Sequence, residues 1–179
     1  DFFVDGGSGT VTYNGTITNT AGRSVVVSNR TGGTHAFTGA ISDTGTGIQL
    51  TNNTGATINF SGGLTLNTAV NGAFSATGGG TVTVTGATNT LQTTTGTALN
   101  VVNTTIGAGG LTFRSVSSNG AASGIVLNTT GASGGLTVSG TGSAGSGGTI
   151  QNTAGAGISL TNVTGVSLAH LNITTGGDD

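Results

Sequence analysis

Ten side chains in this 179-residue sequence can carry charge near neutral pH: five aspartates, three arginines and two histidines. The acids are Asp1, Asp5, Asp43, Asp178 and Asp179. Glycoside hydrolysis needs two carboxylates flanking the scissile bond. Here nothing acidic lies between Asp43 and Asp178. His35 and His170 each lack a second histidine, a cysteine or an acid at metal-ligand spacing. Both are expected to be satisfied surface or corner residues. Arg114 is the one charged side chain between Asp43 and His170 and is expected at a solvated outward position. Hydroxyls abound, but no histidine–carboxylate arrangement activates one as a nucleophile. Gly78-Gly79-Gly80 precedes an extended segment rather than a helix N-terminus, so it is not a phosphate cradle. The expectation is a chain with no catalytic, cofactor or metal site.

Composition narrows the classes further. The chain has 37 glycines, no proline, cysteine, methionine or tryptophan, 4% charged residues and a net charge of -2. Without cysteine there are no disulfides and no thiolate metal sites. Three arginines without lysine make no basic footprint for nucleic acid. No run approaches the roughly 18 apolar residues of a membrane helix, so membrane insertion is not expected. The absence of methionine and the opening Asp1-Phe2-Phe3-Val4-Asp5 are what a processed product or a segment of a larger protein would show.

The elements that must position these residues are strands. Val82-Thr83-Val84, Leu64-Thr65-Leu66, Leu111-Thr112-Phe113 and Leu136-Thr137-Val138 alternate with period two, as strands with one buried face do. A mean hydropathy of +0.19 and near-zero charge argue against disorder.

Three strand types recur in phase. The first reads Val25-Val26-Val27, Ile48-Gln49-Leu50, Phe74-Ser75-Ala76, Leu99-Asn100-Val101, Ile125-Val126-Leu127 and Ile158-Ser159-Leu160. The second includes Phe37, Ile58-Asn59-Phe60, Val82-Thr83-Val84, Leu111-Thr112-Phe113, Leu136-Thr137-Val138 and Val166-Ser167-Leu168. The third is shorter, from Ile17 and Ile41 to Leu171-Asn172-Ile173. This repeat predicts an all-β fold: a right-handed parallel β-helix (solenoid) of about seven coils, three short strands each and roughly 25 residues per coil. Such a rod is roughly 35 Å long. Residues 1–179 form a single domain, with one coil lengthened at Gly140–Gly148. A β-sandwich also uses many short strands, but an in-phase repeat of three strand types disfavours it.

Two ladders follow from the stacking. Asn29, Asn52, Asn103, Asn128 and Asn162 fall near one corner, where asparagine tolerates a left-handed turn and amides can bond from coil to coil. Outward on the second strand type, Thr83, Thr112, Thr137 and Ser167 make a candidate hydroxyl ladder. An ice-binding array needs a second threonine row two places away, and only Thr81 to Thr85 supplies it fully, since the flanking positions elsewhere are Gly110, Arg114, Gly135 and Gly165.

The stretch Gly47-Ile48-Gln49-Leu50-Thr51-Asn52-Asn53-Thr54-Gly55, with Phe60-Ser61-Gly62-Gly63-Leu64-Thr65-Leu66, Gly78 to Val84 and Gly96 to Val101, resembles segments of large bacterial β-strand-repeat surface proteins. These are haemagglutinin-like or autotransporter-like chains with β-helical passenger regions. The resemblance runs from Val25 to Ile173. It implies a secreted or bacterial cell-surface rod, a stalk or adhesin without a catalytic motif. β-Helical lyases, by contrast, resemble one another in pairing an acidic calcium site with a basic residue, and Asp43 has no acidic partner one coil away, near residue 67. The expected function is a non-enzymatic extracellular structural or adhesive rod that self-associates through its end coils. The alternatives are a carbohydrate-binding or carbohydrate-processing β-helix, and an ice-binding solenoid. A glycan site would need aromatic platforms, and Phe37, Phe60, Phe74 and Phe113 are expected to point inward.

Overall fold

The structure, a computed structural model, describes residues 2–174. Short strands follow one another in a fixed order of three. The first coil is β1 (Phe2–Asp5), β2 (Val11–Tyr13) and β3 (Ile17–Asn19). The second is β4 (Val25–Ser28), β5 (Thr34–Phe37) and β6 (Ile41–Asp43), and the third is β7 (Ile48–Thr51), β8 (Thr57–Phe60) and β9 (Leu64–Asn67). The fourth holds β10 (Phe74–Thr77), β11 (Thr81–Val84) and β12 (Thr90–Gln92). The fifth holds β13 (Leu99–Val102), β14 (Thr105–Phe113) and β15 (Ser115–Asn119). The sixth is β16 (Ile125–Asn128), β17 (Leu136–Val138) and β18 (Thr149–Gln151), and the seventh is β19 (Ile158–Thr161), β20 (Ser167–Leu168) and β21 (Asn172–Thr174).

Each strand pairs in parallel with its equivalent in the neighbouring coils, giving three seven-stranded sheets. The molecule is a parallel β-solenoid of seven coils. In-register partners on the first sheet, from Phe2 to Val25 and on to Ile158, are 23, 23, 26, 25, 26 and 33 residues apart. The longest step contains Gly140–Gly148, where the glycine- and serine-rich excursion was expected. The missing proline fits this ladder, because an interior strand needs every N–H.

Alternation places one column of side chains inside and the next outside. Val25, Ile48, Phe74, Leu99 and Ile125 stack on the first sheet with no exposure. Phe37, Phe60, Phe74 and Phe113 are at most 1% exposed. Their rings run along the axis: Phe37 and Phe60 stack at 4.9 Å, and Phe60 meets Phe74 edge-on at 5.7 Å. Buried aromatic contacts of this kind add roughly 0.5–1.5 kcal/mol each beyond area burial.

One strand departs from the repeat. In β14, Ile106 pairs with Val82, yet Val84 pairs with Leu111, so extra residues are bulged out between them. Thr112 therefore does not continue the row of Thr83. It lies beside Thr137, which lies beside Ser167, and the expected hydroxyl ladder is broken at the bulge.

Candidate functional site

Asp5, Asp43, Arg23, Arg30 and His35 are drawn into hydrogen bonds within the rod rather than into one cleft. Asp43 ends β6 with no exposed surface, in line with Leu66, Leu91 and Val116 of the coils that follow. Its Oδ1 accepts from Asn19 Nδ2 at 3.0 Å and from the Gly45 N–H at 2.5 Å. Its Oδ2 accepts from the Ser24 and Gly47 N–H groups, both at 3.0 Å. Four donors converge on one carboxylate and leave it no lone pair facing solvent. Asp5 is exposed, but Ser28 and Asn29 donate to its Oδ1 at 2.7 and 2.8 Å. These bonds, that of Ser28 foremost, hold its carboxyl below the usual range.

Arg30 and His35 correct the expectation for the histidines. His35 is fully buried, pointing inward from β5 between Val11 and Ile58. Arg30, 6% exposed, crosses from the next corner and donates from Nε to His35 Nε2 at 2.9 Å. Its Nη1 donates to the Gly6 carbonyl and its Nη2 to the Gly9 carbonyl at 2.5 Å. The guanidinium thus clamps the loop of the first coil onto the second. His35 is neutral, with Nε2 as acceptor, and its buried Nδ1 has no hydrogen-bond partner.

Burial, with the Arg30 charge adding to it, lowers the His35 pKa. The groups facing His35 are Arg30 and the apolar Val11 and Ile58, while Asp5 is occupied by Ser28 and Asn29. In the unfolded chain the ring titrates near about 6.5. Below that value the unfolded state takes up a proton that the folded state refuses. Stability is therefore expected to fall as pH drops from about 6.5 towards the lowered folded pKa, with a slope of at most about 1.4 kcal/mol per pH unit. Thermal melts across this window should show the slope in the wild type and a flatter profile in His35→Leu. Equal slopes would refute the assignment.

The asparagine corner is real as a backbone conformation and different in its side chains. Asn29, Asn52, Asn103 and Asn162 have φ between 51° and 57°. Gly78 takes the equivalent place in the fourth coil. In the sixth coil the left-handed residue is Thr129, at φ 55°. Asn128 is instead the last residue of β16, opposite Val102, and its amide oxygen accepts from Thr129 Oγ1 at 2.9 Å. The corner asparagines are exposed, because a left-handed residue turns its side chain away from the core. Coil-to-coil amide bonding is seen at 3.5 Å between Asn52 and Asn29. The buried polar column lies one residue later, where the Asn53 amide bridges the Arg30 N–H and the Val27 carbonyl.

Other polar side chains gather on the outer face of the first sheet. Gln49, Ser75 and Asn100 lie side by side in register and, with Arg23 and Thr97, line a shallow groove. Arg23 donates to the Thr46 carbonyl at 3.0 Å. Amides and hydroxyls repeating every ~4.8 Å can hydrogen-bond a polyhydroxylated chain. Arg114 is exposed, and His170 sits at an exposed turn with φ 57°. Among the described residues, no group of three or more His, Asp or Glu side chains could hold a metal ion. Asp1, Asp178 and Asp179 lie outside the described residues. Comparison with known proteins returns no matching family model, curated protein or solved structure.

Proposed function

We propose that this chain is a non-enzymatic structural rod, working outside the cell or on a bacterial surface, that extends by stacking its end coils. The observation that carries this reading is the core left open at the last described coil. Leu127 and Ile150 are wholly buried, yet their in-register partners Leu160 and Ile173 are 43% and 54% exposed. Among the described residues, β19, β20 and β21 have no further strand on their outer edges, and neither do β1, β2 and β3. An uncovered parallel edge is a template for another strand, and a solenoid gains stability from every interface added. The non-enzymatic part of the reading is supported by Asp43 and Asp5, whose carboxylates are already committed to hydrogen bonds within the rod.

Sedimentation over a range of concentrations tests the stacking. The wild type is expected to grow in mass with concentration. Ile173→Asp, which places a charge on the open end, should shift the chain towards monomer while leaving its circular dichroism unchanged. A wild type that remains monomeric at every concentration would refute end-to-end assembly.

A further inference from the structure

We propose that the outer face of the second sheet, across the first five coils, is a binding surface for crystalline water. The register of the strands assembles this face, and the bulge in β14 had hidden it. One row is threonine at every coil: Thr34, Thr57, Thr81 and Thr105 are consecutive partners, and Thr10 precedes them, its Oγ1 accepting from the Thr34 N–H at 3.3 Å. Two residues further along each strand lies a second, mixed row, with Thr12 and Thr83 at its ends and Ala36 and Asn59 between them, so the unbroken threonine row is the first. A third row, Asn14, Thr38, Ser61 and Thr85, continues the same strands, as the bonds from the Thr38, Ser61 and Thr85 N–H groups to Tyr13, Phe37 and Phe60 at 2.9 Å show. Thr112 falls in line with this third row because Leu111 is the partner of Val84.

The result is a lattice of short side chains, spaced by ~4.8 Å along the rod and by roughly 6.6 Å across it. No position in the three rows is ionisable. Threonine is stiff about χ1, and its strands are bonded on both sides, so little order remains to be lost on binding. Thr83 Oγ1 is further fixed by donating to Asn59 Oδ1 at 2.7 Å. The bulge presses on the end of the array: a Cβ at Gly107 would come within 2.8 and 2.9 Å of the Thr83 and Thr81 methyls. Glycine there lets the bulge start beside those methyls without displacing them, and Thr81, Thr83 and Thr85 stay partly exposed.

The chemistry of this face selects its ligand. A polyanion would find a single cation, the exposed Arg114 beyond Thr112 at the edge of the array, and a soluble glycan would find no aromatic platform, since Phe37 and Phe60 face the core. A rigid two-dimensional array of short side chains, most of them hydroxyl-bearing, matches a ligand that is itself a periodic array of hydrogen-bonding molecules. The other faces are poorer matches. The third sheet carries a hydroxyl row, Thr18, Ser42, Thr65, Thr90 and Ser115, but its neighbouring positions include Ala40 and Gly63, and the surface there is hollowed by a groove. The first sheet mixes Phe3, Val26, Gln49 and Ser75.

Thermal hysteresis and inhibition of ice recrystallisation test this with the purified chain. The wild type is expected to shape ice crystals and slow their coarsening. Thr57→Tyr, in the middle of the array, should abolish both, whereas Thr65→Tyr on the third sheet should retain them, with circular dichroism confirming the fold of each. Ala36→Thr adds a threonine to the second row and should increase the hysteresis, which keeps the test informative if the tyrosine variant fails to fold. A folded wild type without either activity would overturn the proposal. So would activity that survives Thr57→Tyr, or adsorption to a crystalline polysaccharide but not to ice.

Discussion

Replacing Ile125 by Asp is expected to open the rod from coil five onwards. Ile125 is fully buried at the start of β16, between Leu99 and Ile158. Removing its side chain loses about 1.5–3 kcal/mol of apolar burial. An unpaired carboxylate in its place costs several kcal/mol more, and no arginine lies in that column to receive it. The sum is comparable with the whole stability of a typical domain, about 5–15 kcal/mol. In a solenoid each coil touches only its neighbours, so the damage should stay local. Hydrogen exchange should lose protection first in β13, β16 and β19, while β4 and β7 keep theirs. Val126→Asp makes the control, because that side chain is half-buried on the outer face of the same strand and its charge can reach water. If both variants melt like the wild type, the inward assignment of Ile125 is wrong.

That assignment was legible in the sequence for a physical reason. Inside and outside alternate along each strand, and stacked coils impose the same choice at each repeat, so Ile48, Phe74, Leu99 and Ile125 announce one column. The first coil was less legible: Phe2–Asp5 and Val11–Tyr13 stand at the end of the pattern, with no earlier repeat to set their phase. The bulge in β14 was hidden because Leu111-Thr112-Phe113 copies the alternation of Val82-Thr83-Val84. Only the pairing of Ile106 with Val82 shows that the copy is displaced, and with it the rows of threonine. The roles of Arg30 and Asp43 had no sequence signal at all. Most of their partners are backbone carbonyl and N–H groups, which every coil offers, so nothing distinctive appears at partner spacing. Asparagine at the corner was readable as a backbone preference, but exposure there is set by the left-handed turn, which also admits Thr129, one place after Asn128.

The isosteric change Asp43→Asn is expected to destabilise the rod by about 3 kcal/mol, since each lost bond to a charged acceptor contributes roughly 1.5–3 kcal/mol. The two oxygens of Asp43 each serve two donors: Asn19 Nδ2 and the Gly45 N–H on one, the Ser24 and Gly47 N–H groups on the other. An asparagine amide can be flipped, but either way its NH2 meets two donors. The Ser24 N–H also reaches the Gly47 carbonyl at 3.1 Å, and Asn19 Nδ2 also donates to the Gly22 carbonyl at 2.9 Å. The Gly45 and Gly47 N–H groups have no such second partner, and one of them is left orphaned in either orientation. Asp43→Leu sets two effects against each other. It continues the apolar column of Leu66 and Leu91, worth about 2 kcal/mol, but it orphans both glycine N–H groups at about 1–3 kcal/mol each. The orphaned donors win, because backbone N–H groups cannot be mutated away with their acceptor. Both variants should therefore melt below the wild type, with exchange at Gly45 and Gly47 accelerated most. A leucine variant more stable than the wild type would show that apolar stacking, rather than the bonded carboxylate, holds the turn between β6 and β7.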